Sequence, residues 1–141
     1  MHWSIGNESK ERLEVEIQSS PANPATEGYD WISAQATIRV GSFQGQTKLS
    51  ITKTDIIRFR DELLQLYETL KGMAEFTTIE SLLYLKVIVD SLGHITVSGS
   101  LLDDCSFGNK LDFTIEIDQS HLKRTISELN TCLKGLDKSN L

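Results

Sequence analysis

Alternation with a period of two dominates this chain, and twice it gives way to a helical period; that rhythm restricts the fold more than any other feature. In Arg12 to Gln18, Leu13, Val15 and Ile17 take one side of a strand while Glu14 and Glu16 take the other. The short segment His2 to Ile5 precedes it across turn-forming residues 6–11, so the two read as a hairpin. Trp31 to Val40 resumes the pattern with Ile32, Ala34, Ala36, Ile38 and Val40 in phase. Gly41-Ser42 then turns into a strand whose Phe43, Thr47, Leu49 and Ile51 share a face. Between the hairpins, residues 19–28 hold both prolines, Pro21 and Pro24, and read as a loop.

The first change of period falls at Ile56, Phe59, Leu63, Leu66 and Leu70, which recur at three- and four-residue steps. This predicts an amphipathic helix with Thr54 as N-cap and Lys71-Gly72 as its stop. Strands return at Met73 to Thr78, Leu82 to Asp90, His94 to Leu102 and around Leu111, Phe113, Ile115 and Ile117. A second helix is expected from about Gln119 to Lys134, with Leu122, Ile126, Leu129 and Leu133 buried. Asp118 or Ser120 caps its start, and Gly135 sits where a terminating glycine belongs. The order ββββαββββα predicts an α+β fold, a mostly antiparallel sheet of hairpins with the two helices packed against it. At 141 residues the chain is expected to form a single domain, 1–141, that needs no disulfide or metal to hold it.

Charge narrows the functional classes. The formal net charge is −6, and the fourteen basic residues are scattered with no run of three. Nucleic-acid affinity comes largely from Lys and Arg neutralising phosphates, so neither direct nucleic-acid binding nor an anionic membrane surface is expected. A basic protein partner fits, because complementary fields speed docking. No secretory signal opens the chain and no apolar run reaches membrane-spanning length, so a cytoplasmic location is expected.

Motifs that carry chemistry are scarce. The sequence contains no HExxH, GxSxG, P-loop or GxGxxG pattern. His94 and His121 stand where exposed polar residues are common, and a metal site needs three or four converging ligands. Cys132 lies beside the apolar stripe of the second helix, and Cys105 in an acidic loop that disfavours its thiolate. An enzyme reading therefore has only His94, Asp103, Asp104 and Cys105 to build a small hydrolase or metal-dependent site, and no cofactor is expected. Outward-facing positions are more informative. Glu14 and Glu16 on one strand and Asp112, Glu116 and Asp118 on the last form rows of carboxylates. Trp31 and Tyr84 share the outward phase with Arg39, Lys86 and Ile88. Aromatic anchors among charges suit a protein-binding face, since Trp, Tyr and Arg dominate interface energetics. The candidate partner-binding residues are thus Glu14, Glu16, Trp31, Tyr84, Asp103, Asp104, Asp112 and Glu116. An exposed strand edge could also support a homodimer.

Several segments together resemble the WapI-like immunity proteins of bacteria. They are Tyr29-Asp30-Trp31-Ile32, Gly41-Ser42-Phe43-Gln44-Gly45, Asp61-Glu62-Leu63 and Asp90-Ser91-Leu92-Gly93-His94-Ile95. The last runs from Phe113 to Leu122 through Asp118-Gln119-Ser120-His121. The resemblance implies a cytoplasmic protein that binds the C-terminal domain of a cognate toxin and blocks it stoichiometrically; the acidic balance points to a basic toxin such as a nuclease, with a deaminase or other toxin as the alternative. It offers no catalytic residues, and it implies structural roles for Asp118 as helix cap, Gly93 in a turn and Trp31 at a strand start. The loop before Tyr29 and the segment 103–109 depart most from the family pattern.

Overall fold

The computed structural model describes residues 1–7, 10–19, 31–103 and 108–139. Four strands come first: β1 (His2–Gly6), β2 (Glu11–Ser19), β3 (Trp31–Val40) and β4 (Phe43–Thr52). Helix α1 (Lys53–Thr69) follows, then β5 (Met73–Thr77), β6 (Leu83–Val89), β7 (Ile95–Leu102), β8 (Lys110–Ile117) and α2 (Gln119–Ser139). The expected order and α+β class hold. The strands divide into two antiparallel sheets of four, β1-β2-β3-β4 and β5-β6-β7-β8, each in chain order. The loop expected at 20–28 lies outside the described residues.

Each period-two run buries one phase, as alternation requires. Leu13, Val15, Ala36, Ile38, Leu49 and Ile51 line the inner face of the first sheet, and Leu83, Leu85, Val87, Val97 and Ile115 that of the second. Both sets join one apolar cluster with Phe59 and Leu63 of α1 and Leu122 and Leu129 of α2. At its centre Trp3, Phe59 and Phe76 meet edge to face or tilted, with ring centroids 5.6, 5.4 and 5.3 Å apart. These rings belong to β1, α1 and β5, so the aromatic seam joins the two halves.

Four expectations change in detail. The cap of α1 is Thr52 rather than Thr54: Thr52 Oγ1 accepts from Asp55 N at 3.1 Å, while Asp55 Oδ2 accepts from Thr52 N at 3.0 Å. This capping box satisfies two backbone donors reciprocally, and Thr54, already inside the helix, has no such geometry to offer. Helix α2 does not stop at Gly135 but runs on to Ser139, because Leu136 continues the buried stripe. Gly135 serves contact instead, since a Cβ there would come within 2.3 Å of Met1 Sδ. Phe43, expected in the buried row, is 67% exposed, since the hairpin tip projects beyond the core. Val40, its partner across the turn, is only partly buried.

The helices pair antiparallel, with Arg60 Nη1 donating to Asn130 Oδ1 at 2.9 Å and Lys53 bonded to Asp137. Each covers the edge strand of the opposite half. Ser4 of β1 gives its N–H and its hydroxyl to Glu128 Oε1 of α2, at 2.9 and 2.8 Å. Its carbonyl accepts from Thr125 Oγ1 at 2.6 Å. Likewise Glu75 N of β5 donates to Glu62 Oε1 of α1 at 2.8 Å.

Candidate functional site

The register of the second sheet arranges the residues of its outward phase in a grid. Met73, Ile88, Thr96 and Glu116 form one row across the strands. Glu75, Lys86, Ser98 and Thr114 form the next, and Thr77, Tyr84, Ser100 and Asp112 the third. Tyr84 lies half-buried in this face, its hydroxyl donating to Glu75 Oε2 at 2.8 Å. That bond to an anion favours the neutral phenol and raises its pKa above the ordinary value. Beside Tyr84 the small side chains of Ser98 and Ser100 leave a shallow depression, bounded by Lys110, Asp112 and Phe113. Gly99 is required under it: a Cβ there would meet Tyr84 O at 2.2 Å and the Phe113 ring at 2.9 Å. Met73 and Ile88 expose apolar surface at the other end of the face. The result is an anchoring aromatic ring, two exposed aliphatic side chains and a fringe of charge.

The sequence-derived candidates do not all gather here. Tyr84, Asp112 and Glu116 share this face, whereas Glu14, Glu16 and Trp31 belong to the first sheet. The two rows of carboxylates are therefore not one acidic surface. Glu14 also lies 3.5 Å from Arg12, and Asp112 lies 3.6 Å from Lys110, so each row is partly neutralised along its own strand. Trp31 is half-buried at the start of β3, opposite Thr52. Asp103 folds back on its own loop, its carboxylate accepting from the backbone and side-chain nitrogens of Asn109 at 2.7 and 3.3 Å. Asp104 lies outside the described residues. Glu75 and Met73 were missed as site residues because β5 is short; the signal was present in the opposite phase of Ala74 and Phe76, both buried.

The residues of the enzyme reading do not converge. His94 stands at the β6–β7 turn, its Nδ1 3.1 Å from Asp90 Oδ2. Asp90 also accepts from the backbone of His94 and Leu92, and the first of these bonds chiefly holds its carboxyl below the usual range. Asp103 follows the other end of β7, so the length of that strand, roughly 25 Å, separates it from His94. Cys105 lies outside the described residues. Cys132 is buried in the core, and burial pushes its thiol up to about 11. His121 belongs to a second reciprocal cap: Asp118 Oδ1 accepts from His121 N at 3.1 Å, and Asp118 N donates to His121 Nδ1 at 3.3 Å. The Ser120 hydroxyl, 2.5 Å from Asp118 Oδ1, is the largest influence lowering that carboxyl's pKa. Among the described residues no three His, Cys, Asp or Glu side chains gather as a metal site would require. Among the described residues no helix is long and apolar enough to cross a membrane.

Comparison with known proteins agrees with the fold and adds the family. The solved structure of the plant transcriptional regulator PBF-2 superposes with a TM-score of 0.54 and 15% identity, covering 99% of this chain and 84% of that one. At that identity the likeness is one of fold alone. No curated protein matches the chain. Residues 4–136 match the Immunity protein WapI-like family, and the chain belongs to it.

Proposed function

We propose that this WapI-like immunity protein neutralises its toxin by binding the toxin's C-terminal domain stoichiometrically, through the outer face of the second sheet. Family membership implies toxin neutralisation in general. The observation that carries the choice of surface is the grouping of Tyr84, Met73 and Ile88 with Asp112 and Glu116 on one exposed sheet face. A half-buried tyrosine already held by Glu75 loses little further freedom on docking, and apolar neighbours exclude water around it. The net charge of −6 favours a basic toxin such as a nuclease, met in the cytoplasm. Inhibition by binding needs no catalytic group or cofactor from this chain.

Co-expression with the toxin domain encoded beside it should restore growth and yield a one-to-one complex. In that complex Tyr84→Ala is expected to weaken binding by more than about 1 kcal/mol, and Asp112→Lys to slow association in low salt. Absence of both rescue and complex for the wild type rejects the reading. A complex indifferent to Tyr84→Ala and Asp112→Lys moves the interface elsewhere, first to Glu14, Glu16 and Trp31 on the other sheet.

A further inference from the structure

An open sheet leaves unpaired N–H and C=O groups along each edge strand, and proteins usually block such edges. Here the edge strands are β1 and β4 in one sheet and β5 and β8 in the other. Glu128 and Thr125 close β1, and Glu62 takes the Glu75 N–H of β5. On β8 the side chain of Asn7 reaches the Glu116 carbonyl at 3.4 Å, and Asp112 and Glu116 charge the strand.

Strand β4 carries none of these protections among the described residues. It is ten residues long, contains no proline and bears a single charge, Lys48. Gly41 (φ 58°) opens the two-residue turn before it, and Ser42 stays out of the positive-φ region, a combination that makes Val40 and Phe43 the closing hydrogen-bonded pair. Alternation along the ladder then aims the N–H and C=O groups of Gln44, Gln46, Lys48 and Ser50 away from β3. All four residues are exposed.

We propose that β4 pairs antiparallel with β4 of a second copy, forming a twofold dimer in which the two first sheets become continuous. Charge selects this occupant. A twofold axis at Thr47 sets Lys48 opposite Gln46 and Ser50 opposite Gln44, so no like charges face each other. The same operation on β8 about Thr114 would set Asp112 against Glu116, a repulsive pair. Phe43, exposed at the hairpin tip, falls at the end of this pairing, opposite the already buried Ile51 of the other copy. Edge pairing buries less than a standard interface, so the dimer is a concentration-dependent one.

Sedimentation equilibrium of the purified chain tests this without any toxin. The wild type should pass from monomer to dimer as concentration rises through the micromolar range. Because Gln46 faces Lys48 twice in each dimer, Gln46→Lys should weaken association roughly three- to tenfold and Gln46→Glu should strengthen it by a similar factor. Gln46→Pro removes an outward N–H and should leave only monomer; should that variant fail to fold, the two charge variants decide. A wild type that stays monomeric at every concentration overturns the proposal. So does a dimer that ignores the charge at position 46, or one weakened as much by Thr114→Lys on β8.

Discussion

The halves β1–β4–α1 and β5–β8–α2 follow one plan with different chemistry at matching points. Each last strand enters its helix through a reciprocal cap, Thr52 with Asp55 in one half and Asp118 with His121 in the other. Each helix then sends a glutamate to the first strand of the opposite half. The quality of that closure differs. Ser4 is fully buried, with its N–H, hydroxyl and carbonyl all engaged by α2, whereas Glu75 is half-exposed and offers Glu62 only its N–H. Buried backbone groups must find partners inside the protein, and half-exposed ones can use water. The β1 edge therefore depends on its helix, while the β5 edge is merely assisted by its own, which leaves the second sheet's outer face free to carry the exposed residues of the candidate site.

The largest test asks whether the halves are separable at all. Phe59→Ala removes the α1 ring from the seam with Trp3 and Phe76 and should cost about 3–5 kcal/mol. Urea unfolding of the wild type followed by both tryptophan fluorescence and circular dichroism should show one shared transition; two separate midpoints in the wild type would mean the seam does not couple the sheets. Next comes the asymmetry of the edges. Glu128→Ala strands the buried Ser4 N–H and should cost about 1–3 kcal/mol, clearly more than Glu62→Ala in the same assay. Equal losses would erase the distinction drawn above. Smaller still is the cap of α1, where Thr52→Ala should cost about 1 kcal/mol.

Two pH experiments probe the second half alone, one at its helix cap in acid and one at its buried thiol in alkali. The Asp118 carboxyl is held below its ordinary range in the folded chain, so the unfolded chain takes up its proton first as pH falls. Its contribution is present above the ordinary carboxylate range and is lost as pH drops through the folded value. Urea midpoints measured from neutral to acid pH should thus fall less steeply for Asp118→Asn than for the wild type. Cys132 works at the other limit. Its thiol is raised from 9.0 to about 11 by burial, so the unfolded chain ionises first and stability declines as pH climbs across that window. Cys132→Ala should remove that alkaline slope, and thiol reagents should label Cys132 only on unfolding.

Much of this architecture was legible because period-two runs such as Leu13-Val15-Ile17 and Leu83-Leu85-Val87 have one phase to bury and no alternative way to bury it. The first helix was legible from Ile56, Phe59, Leu63 and Leu66 for the same reason, all four being buried. What pattern alone could not supply was division into two sheets, since pairing partners are chosen by long-range contact. Gly135 shows the same limit: a glycine near a helix end suggests termination, and only the packing of Met1 against it reveals another use. The candidate site was half legible. Tyr84, Asp112 and Glu116 were found by phase, but phase does not say which sheet a residue joins, so Glu14 and Glu16 were grouped with carboxylates of the other sheet.

The crossed cover of the helices has a consequence for synthesis. The first sheet has all its strands once residue 52 has left the ribosome, yet the groups that close β1 belong to residues 119–139, which emerge much later. Through that interval Ser4 and its neighbours are a strand edge without the partners that close it. A nascent chain stalled before α2 is therefore the aggregation-prone form of this protein, and completion of α2 quenches that hazard.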